Sequence, residues 1–283
     1  MANHIIFNGT IISTEDNPIN PSNRAFRYGD GVFDTLVCSG TEPLLFEGHY
    51  QRLLSAAVLL KFNIIGYPSL ENFKKQIALL VAKNKYAPYS RIRITMYRSP
   101  GGLYTPEDNA PQWIIEQEPL QSEPFELNSK GLLTGIYQDM AKQISPLSQF
   151  KTCSSLFFVL AGLAKKENGW GDILVTNQEG RIIEGLSSNL FWIKENKIFT
   201  PLVSSGCVDG IMRREVIRLS HDLGFPVMET RGATLNELLE ADELFLTNST
   251  QGIRWIVGLN DQRYYLKITR QLAMNLKKSL LAP

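Results

Sequence analysis

Lys151 stands in a setting that changes what a lysine can do. It follows Phe150 and precedes the small-residue stretch 152–155 and then a strongly apolar run, 156–164. Neighbours of that kind desolvate an ammonium, and a desolvated lysine has a lowered pKa and forms Schiff bases with carbonyl compounds. The plainer reading is a lysine that snorkels to water along its own stem. Glu184 lies inside IIEGLSSNLFWI, an apolar strand-turn-strand, where a carboxylate needs a partner. An arginine in salt bridge is the plainest one. Arg52, in HYQRL, is an exposed helix residue on one reading. On the other it is a guanidinium near the glycine-rich turn of RAFRYGDGVFDTL, able to hold a phosphate through two parallel hydrogen bonds. That turn, Gly29-Asp30-Gly31, reads by itself as a tight entry into a strand. In VDGIMRREV, Gly210 stands at a helix start, where exposed N–H groups attract anions. In FLTNSTQGI, Thr247, Asn248, Ser249 and Thr250 end a strand with hydroxyls and amides that suit a phosphate.

Other chemistries are poorly represented. No GxGxxG follows the first strand, no GxxxxGK[ST] loop is present, and no GxSxG elbow occurs. His4, His49 and His221 are too dispersed to suggest a metal site.

The elements that must position these residues read as mixed α/β. Leu53, Leu54, Ala57 and Leu60 recur at helical spacing in 49–62, and Ser69 caps a second helix carrying Phe73, Ile77 and Leu80. Residues 91–98 alternate as a half-buried strand, with Arg91, Arg93 and Arg98 as a solvated basic face, and 113–116 is another strand. Residues 116–131 are polar and carry Pro119 and Pro124, which reads as a linker or edge crossing. Beyond them come a strand at LLTGIY, the apolar helix, strands at DILVT and through EGLSSNLFWI, turns at NQEG and KENK, and a helix over 210–223. A capping box at Thr234 and Glu237, a strand at ELFLT and a helix from Thr269 complete the chain. The domains expected are a small α/β domain at 1–118, a linker at 119–128, and a larger α/β domain at 129–283 carrying Lys151.

Composition narrows the function classes. The net charge of +1 creates no field directed at nucleic acid or an anionic membrane. No apolar run is long enough to cross a bilayer, and the first residues lack the pattern of a signal peptide. Cys38, Cys153 and Cys207 are few, odd in number and widely spaced, so reduced thiols and a cytoplasmic location are expected.

In this order the segments resemble the class IV aminotransferases, the fold-type-IV pyridoxal-phosphate enzymes. That family includes branched-chain aminotransferases, D-amino acid aminotransferases and 4-amino-4-deoxychorismate lyases. The resemblance runs from YGDGVF to ADELFLTNS and implies a two-domain α/β (α+β) enzyme, its pyridoxal 5'-phosphate between the domains, working as a homodimer on a small amino substrate. Lys151 matches the Schiff-base lysine, which also serves as general base, and Glu184 matches the carboxylate that keeps the pyridine nitrogen protonated. Arg52, the backbone of Ile211 and Met212, and Ser249 match phosphate contacts. Ser188, Asn189, Gly210 and Asn248 complete the expected cofactor set. Met212 replaces the family's usual threonine, which removes a hydroxyl and keeps the N–H.

The subfamilies divide on few positions. Leu156 stands where branched-chain enzymes carry a tyrosine, and Asn248-Ser249-Thr250 replaces their Gly-Thr-Ala run. Phe33 replaces a tyrosine of the D-amino acid enzymes, whose carboxylate-trapping arginine has no counterpart near Leu103. RSPGGLYTP, Thr35 and FLTNS look more like the lyases, many of which also carry an arginine at the Leu103 position. Phe33, Thr35, Leu103 and Thr250 are the candidate substrate contacts, with Arg98 or Arg254 for the carboxylate. Transamination is the first expectation. Elimination of pyruvate from aminodeoxychorismate to give 4-aminobenzoate is the alternative, and a non-catalytic cofactor binder is the third reading.

Overall fold

The computed structural model describes residues 4–16, 19–86 and 88–281. The chain divides into two compact units. The first is 1–123 with 150–155, and the second is 124–149 with 156–283. The chain crosses between them at 123–124, 149–150 and 155–156. Lys151, expected with the C-terminal domain, packs with the first unit instead.

In the first unit, β1 (His4–Phe7) and β2 (Thr10–Ser13) form a hairpin. Then come α1 (Arg24–Tyr28), β3 (Gly31–Ser39), β4 (Glu42–Pro43), α2 (Phe46–Leu59), α3 (Leu70–Asn84), β5 (Tyr89–Arg98) and β6 (Pro111–Pro119). The strands make one antiparallel sheet in the order β2-β1-β6-β5-β3-β4. Ser69 caps α3 through its side chain, as its position before a helical stripe predicts. The strand period sets the two faces. Ile92, Ile94 and Met96 of β5 and Val32, Leu36 and Cys38 of β3 enter a core with Leu53, Ala56, Ala57, Phe73 and Ile77 from the two long helices. Asp34 shares the parity of those β3 core residues and sits opposite Ile94. Thr35 sits opposite Arg93.

The glycine turn is a structural necessity. Gly29 ends α1 at φ 65°, a left-handed conformation that glycine adopts without strain. A Cβ on Gly31 would stand 2.8 Å from the Met96 carbonyl oxygen and 3.1 Å from Cys153 Sγ. That closeness admits residues 151–153 as an added rung along β3. The Phe33 N–H donates to the Lys151 carbonyl at 2.8 Å, and the Cys153 N–H donates to the Gly31 carbonyl at 2.9 Å.

The second unit comprises β7 (Leu132–Ile136), α4 (Leu156–Glu167), β8 (Asp172–Thr176), β9 (Ile182–Gly185), β10 (Asn189–Lys194), β11 (Lys197–Pro201), α5 (Ile211–Asp222) and β12 (Val227–Thr230). It ends with α6 (Leu235–Leu239), β13 (Glu243–Asn248), β14 (Gly252–Leu259), β15 (Gln262–Arg263) and α7 (Ile268–Leu281). Its nine strands run β12-β11-β10-β13-β14-β7-β8-β9, with β15 on β14. Strand β9 returns to β10 through Glu184 opposite Asn189, so the sheet closes on itself. The capping box at Thr234 and Glu237 is present. Glu243 accepts the N–H groups of Lys267, Ile268 and Thr269 at the head of α7, which satisfies a buried carboxylate. Among the described residues, no helix is long and apolar enough to cross a membrane.

Candidate active site

Each unit buries a carboxylate against a base. In the first, Asp34 is 1% exposed. Its Oδ1 accepts His49 Nδ1 at 2.8 Å, Arg52 Nη2 at 2.7 Å and the Thr35 N–H at 2.7 Å, and its Oδ2 accepts Arg52 Nε at 2.9 Å. His49 and Arg52 lie three residues apart on α2 and so share a face. Burial opposes the Asp34 charge, but the Arg52 guanidinium and the His49 N–H outweigh it and hold its carboxyl well below the usual carboxylate range. Burial pushes His49 down despite Asp34, so the ring is neutral at pH 7 and Nδ1 carries the proton it donates.

Lys151 shares this environment. Its Nζ stands 5.2 Å from the centre of the Phe33 ring, and the Arg93 guanidinium lies 3.6 Å from the same centre. Burial drives the ammonium down, Asp34 resists, and Arg52, Arg93 and Arg91 add to the fall, to about 8. At pH 7 that leaves roughly one amine in ten neutral and nucleophilic, against fewer than about one in a thousand for an ordinary lysine.

In the second unit, Glu184 is 3% exposed. Lys142 Nζ donates to its Oε1 at 2.5 Å and to the Ser148 carbonyl at 3.1 Å. The Val208 N–H donates to Oε2 at 2.9 Å. Asn189 Nδ2 donates to the Val208 carbonyl at 2.7 Å, so Glu184 and Asn189 together fix the approach to α5. A Cβ on Gly210 would stand 1.9 Å from Asn189 Oδ1, so only glycine passes there. Gly210 caps α5 without a side-chain hydrogen bond, and the first-turn N–H groups of a helix have no intrahelical acceptor. Ile211 and Met212 follow, both buried. At the end of β13, Asn248 Nδ2 donates to Ser188 Oγ at 3.0 Å, and Asn248 Oδ1 accepts the Thr250 N–H and hydroxyl. Ser249 is half-buried in the turn. Thr247 Oγ1 is buried with no hydrogen-bond partner in the structure.

Several expectations change. Glu184 has a buried lysine for its partner, not an arginine. Arg93 is no solvated strand residue, because it is half-buried on Phe33. Arg98 is committed elsewhere: it donates to Asp30 at 3.0 Å, to Asn109 Oδ1 at 2.5 Å and to the Leu60 carbonyl at 2.7 Å. Arg254 Nε is buried with no hydrogen-bond partner in the structure. Leu103 is exposed, and its carbonyl accepts from Arg24. The reading from residues passed over Asp34, His49, Lys142 and Val208. Among the described residues no cluster of His, Cys, Asp or Glu suits a metal ion.

The family model for class IV amino-transferases matches residues 31–258, and the chain belongs to that family. It is an enzyme fold of mixed α/β fold-type-IV architecture, and membership implies pyridoxal phosphate as the cofactor. Among named relatives, an aminodeoxychorismate lyase of Bacillus subtilis is 27% identical over 265 residues, 92% of this chain and 88% of that protein. A probable branched-chain-amino-acid aminotransferase of Thermotoga maritima is 27% identical over 234 residues, 83% of this chain and 79% of that protein. A branched-chain amino acid aminotransferase from Thermobaculum terrenum, solved in its PLP form, superposes with a TM-score of 0.88 at 22% identity, covering 99% of this chain and 94% of that one.

The residues present fit such a cofactor. The lysine amine is lowered toward neutrality. Glu184 spends one acceptor site per oxygen on its two donors, and a carboxylate has about four. The α5 terminus lacks a side-chain cap, and the Thr247 hydroxyl is an orphaned buried group.

Proposed function

We propose that this protein is a pyridoxal-phosphate-dependent transaminase of a small amino acid. The observation that carries the reading is the buried Lys151 beside Phe33 and Arg93, its ammonium lowered to about 8 by burial and by surrounding arginines. When bound, the cofactor supplies an electron sink for charge developing at the substrate α-carbon. Lys151 would anchor the group, and its Nζ would serve as the base that takes a proton from the substrate α-carbon and returns one. Glu184, paired with Lys142, would accept the ring N–H. Arg52 and the N–H groups of Ile211 and Met212 hold the phosphate, with Ser249 as a hydroxyl contact and Ser188, Asn189, Gly210 and Asn248 shaping the backbone around them. The face of β3 that carries Phe33 and Thr35 lies beside Arg93, which takes the substrate carboxylate in place of Arg98.

A second reading, elimination of pyruvate from aminodeoxychorismate, is favoured by the similarity to the Bacillus lyase over 92% of this chain. One experiment separates the two. Absorbance spectra of the holoprotein are recorded while L- and D-amino acids are added, with Lys151→Ala alongside. A visible band in wild type that one amino acid bleaches establishes transamination and names the donor. A band that no amino acid changes, with pyruvate released from aminodeoxychorismate, establishes the lyase. A band with neither reaction leaves a cofactor binder.

We also infer a homodimer in a reducing compartment, consistent with a cytoplasmic site. All three cysteines are free. Helix α4 presents Leu156, Val159, Leu160 and Leu163 at 68%, 55%, 37% and 51% exposure, an apolar stripe that a second copy would cover. Sedimentation should show a dimer that Val159→Glu with Leu163→Glu converts to monomer.

A further inference from the structure

We propose that Asp34 is a positioning residue, a buried clamp that fixes the direction of the Arg52 guanidinium so that it receives a phosphate. The inference rests on the reading of Arg52 as a phosphate ligand. Four donors reach the Asp34 carboxylate, three on Oδ1 and one on Oδ2, and the residue is 1% exposed. Asp34 therefore touches no ligand itself and acts only through what it holds. Its grip on Arg52 is two-pronged, through Nε and Nη2, so it sets the plane of the guanidinium as well as its position. The carboxylate is in turn immobile. It projects from the core face of β3, its Oδ1 also accepts His49 Nδ1 and the Thr35 N–H, and it is 1% exposed. One strand and one helix thus share a single carboxylate, and α2 supplies both of the side chains that hold it.

A structural role alone would also stabilise the fold, so the test must read phosphate recognition by itself. Pyridoxal reacts with the same lysine as pyridoxal phosphate but carries no phosphate. The ratio of their dissociation constants on the apoprotein measures the phosphate's share of binding. Lys151 capture is confirmed by borohydride trapping and mass spectrometry. Arg52→Gln should reduce the preference for pyridoxal phosphate at least tenfold. Asp34→Glu keeps the charge and moves the carboxylate by one methylene, and it should lose a comparable share of the preference while pyridoxal binds as in wild type. The double variant Asp34→Asn with Arg52→Gln replaces the ion pair by a neutral pair of similar volume. It should lose no more than Arg52→Gln does, because the two residues act as one unit. That variant also serves if Asp34→Glu does not fold. If Asp34→Glu keeps the wild-type preference, or the double variant loses distinctly more than Arg52→Gln, Asp34 is no clamp and the proposal fails while the Arg52 reading stands. If Arg52→Gln keeps the full preference, both fail together.

Discussion

Asp34 and Glu184 are both buried acids paired with a base, yet they are finished differently. Asp34 receives four protein donors, three on Oδ1 and one on Oδ2. Glu184 receives Lys142 on one oxygen and the Val208 N–H on the other. A carboxylate engaged by four protein donors is suited to organising protein. One with two donors, a buried lysine among them, can still accept a proton-bearing ligand atom. The same local chemistry therefore serves two purposes, and counting donors tells them apart.

That contrast sets the order of expected effects. The largest falls on the amine that has no acid of its own in contact. Lys151→Ala should lower turnover on the order of 10³-fold or more and abolish the visible band, read by steady-state kinetics and absorbance. Glu184→Gln comes next. It keeps the shape and removes the charge, so turnover should fall about 10²–10³-fold while the cofactor still binds. If Glu184→Gln left turnover intact, Glu184 would join Asp34 as an organiser and the contrast would collapse.

The two acids were not equally legible in the sequence. Glu184 and Lys151 stood out because each is a charge set against an apolar run. Asp34 offered a comparable signal, since Val32, Leu36 and Cys38 mark the core parity of that strand and Asp34 shares it. The glycine turn before it drew the reading toward loop geometry. Lys142 gave no signal: it lies in a polar irregular stretch and meets Glu184 across 42 residues of chain, once β8 and β9 have folded back. The same holds for residues 150–155. Their backbone bonds to Gly31 and Phe33 are long-range pairings that no local pattern encodes. The longer helices and many of the strands, whose periodicity is local, were readable, including the Ser69 cap and the capping box at Thr234, while the β1–β2 hairpin, α1, β12 and β14 were not.

Lys142 gives the next effect, on stability more than on chemistry. Lys142→Met leaves Glu184 with its backbone donor alone in a buried setting, and breaking such a pair costs about 3–5 kcal/mol. Denaturant midpoints of the apoprotein should show the loss. Lys142→Arg should recover most of it, because the charge and the reach are kept. Double replacement of Lys142 by Met and Glu184 by Gln should be less destabilising than Lys142→Met alone, since no uncompensated charge remains.

The smallest effect is a pH dependence, and it probes how far Asp34 reaches toward Lys151. The nucleophile is the neutral amine, so capture of pyridoxal phosphate by the apoprotein should quicken about tenfold per pH unit below the lysine's value, then level off above about 8. The folded value lies below the ordinary 10.5, so the unfolded chain binds more protons between the two. Stability from this group is therefore lowest below about 8 and recovers as pH rises toward 10.5. Asp34 is the one neighbour that resists the fall, against Arg52, Arg93 and Arg91. Asp34→Asn should move the break in the capture profile to lower pH, and Arg93→Gln should move it higher. A profile that ignores both substitutions would show that burial alone sets the amine, and that the carboxylate's influence ends at Arg52.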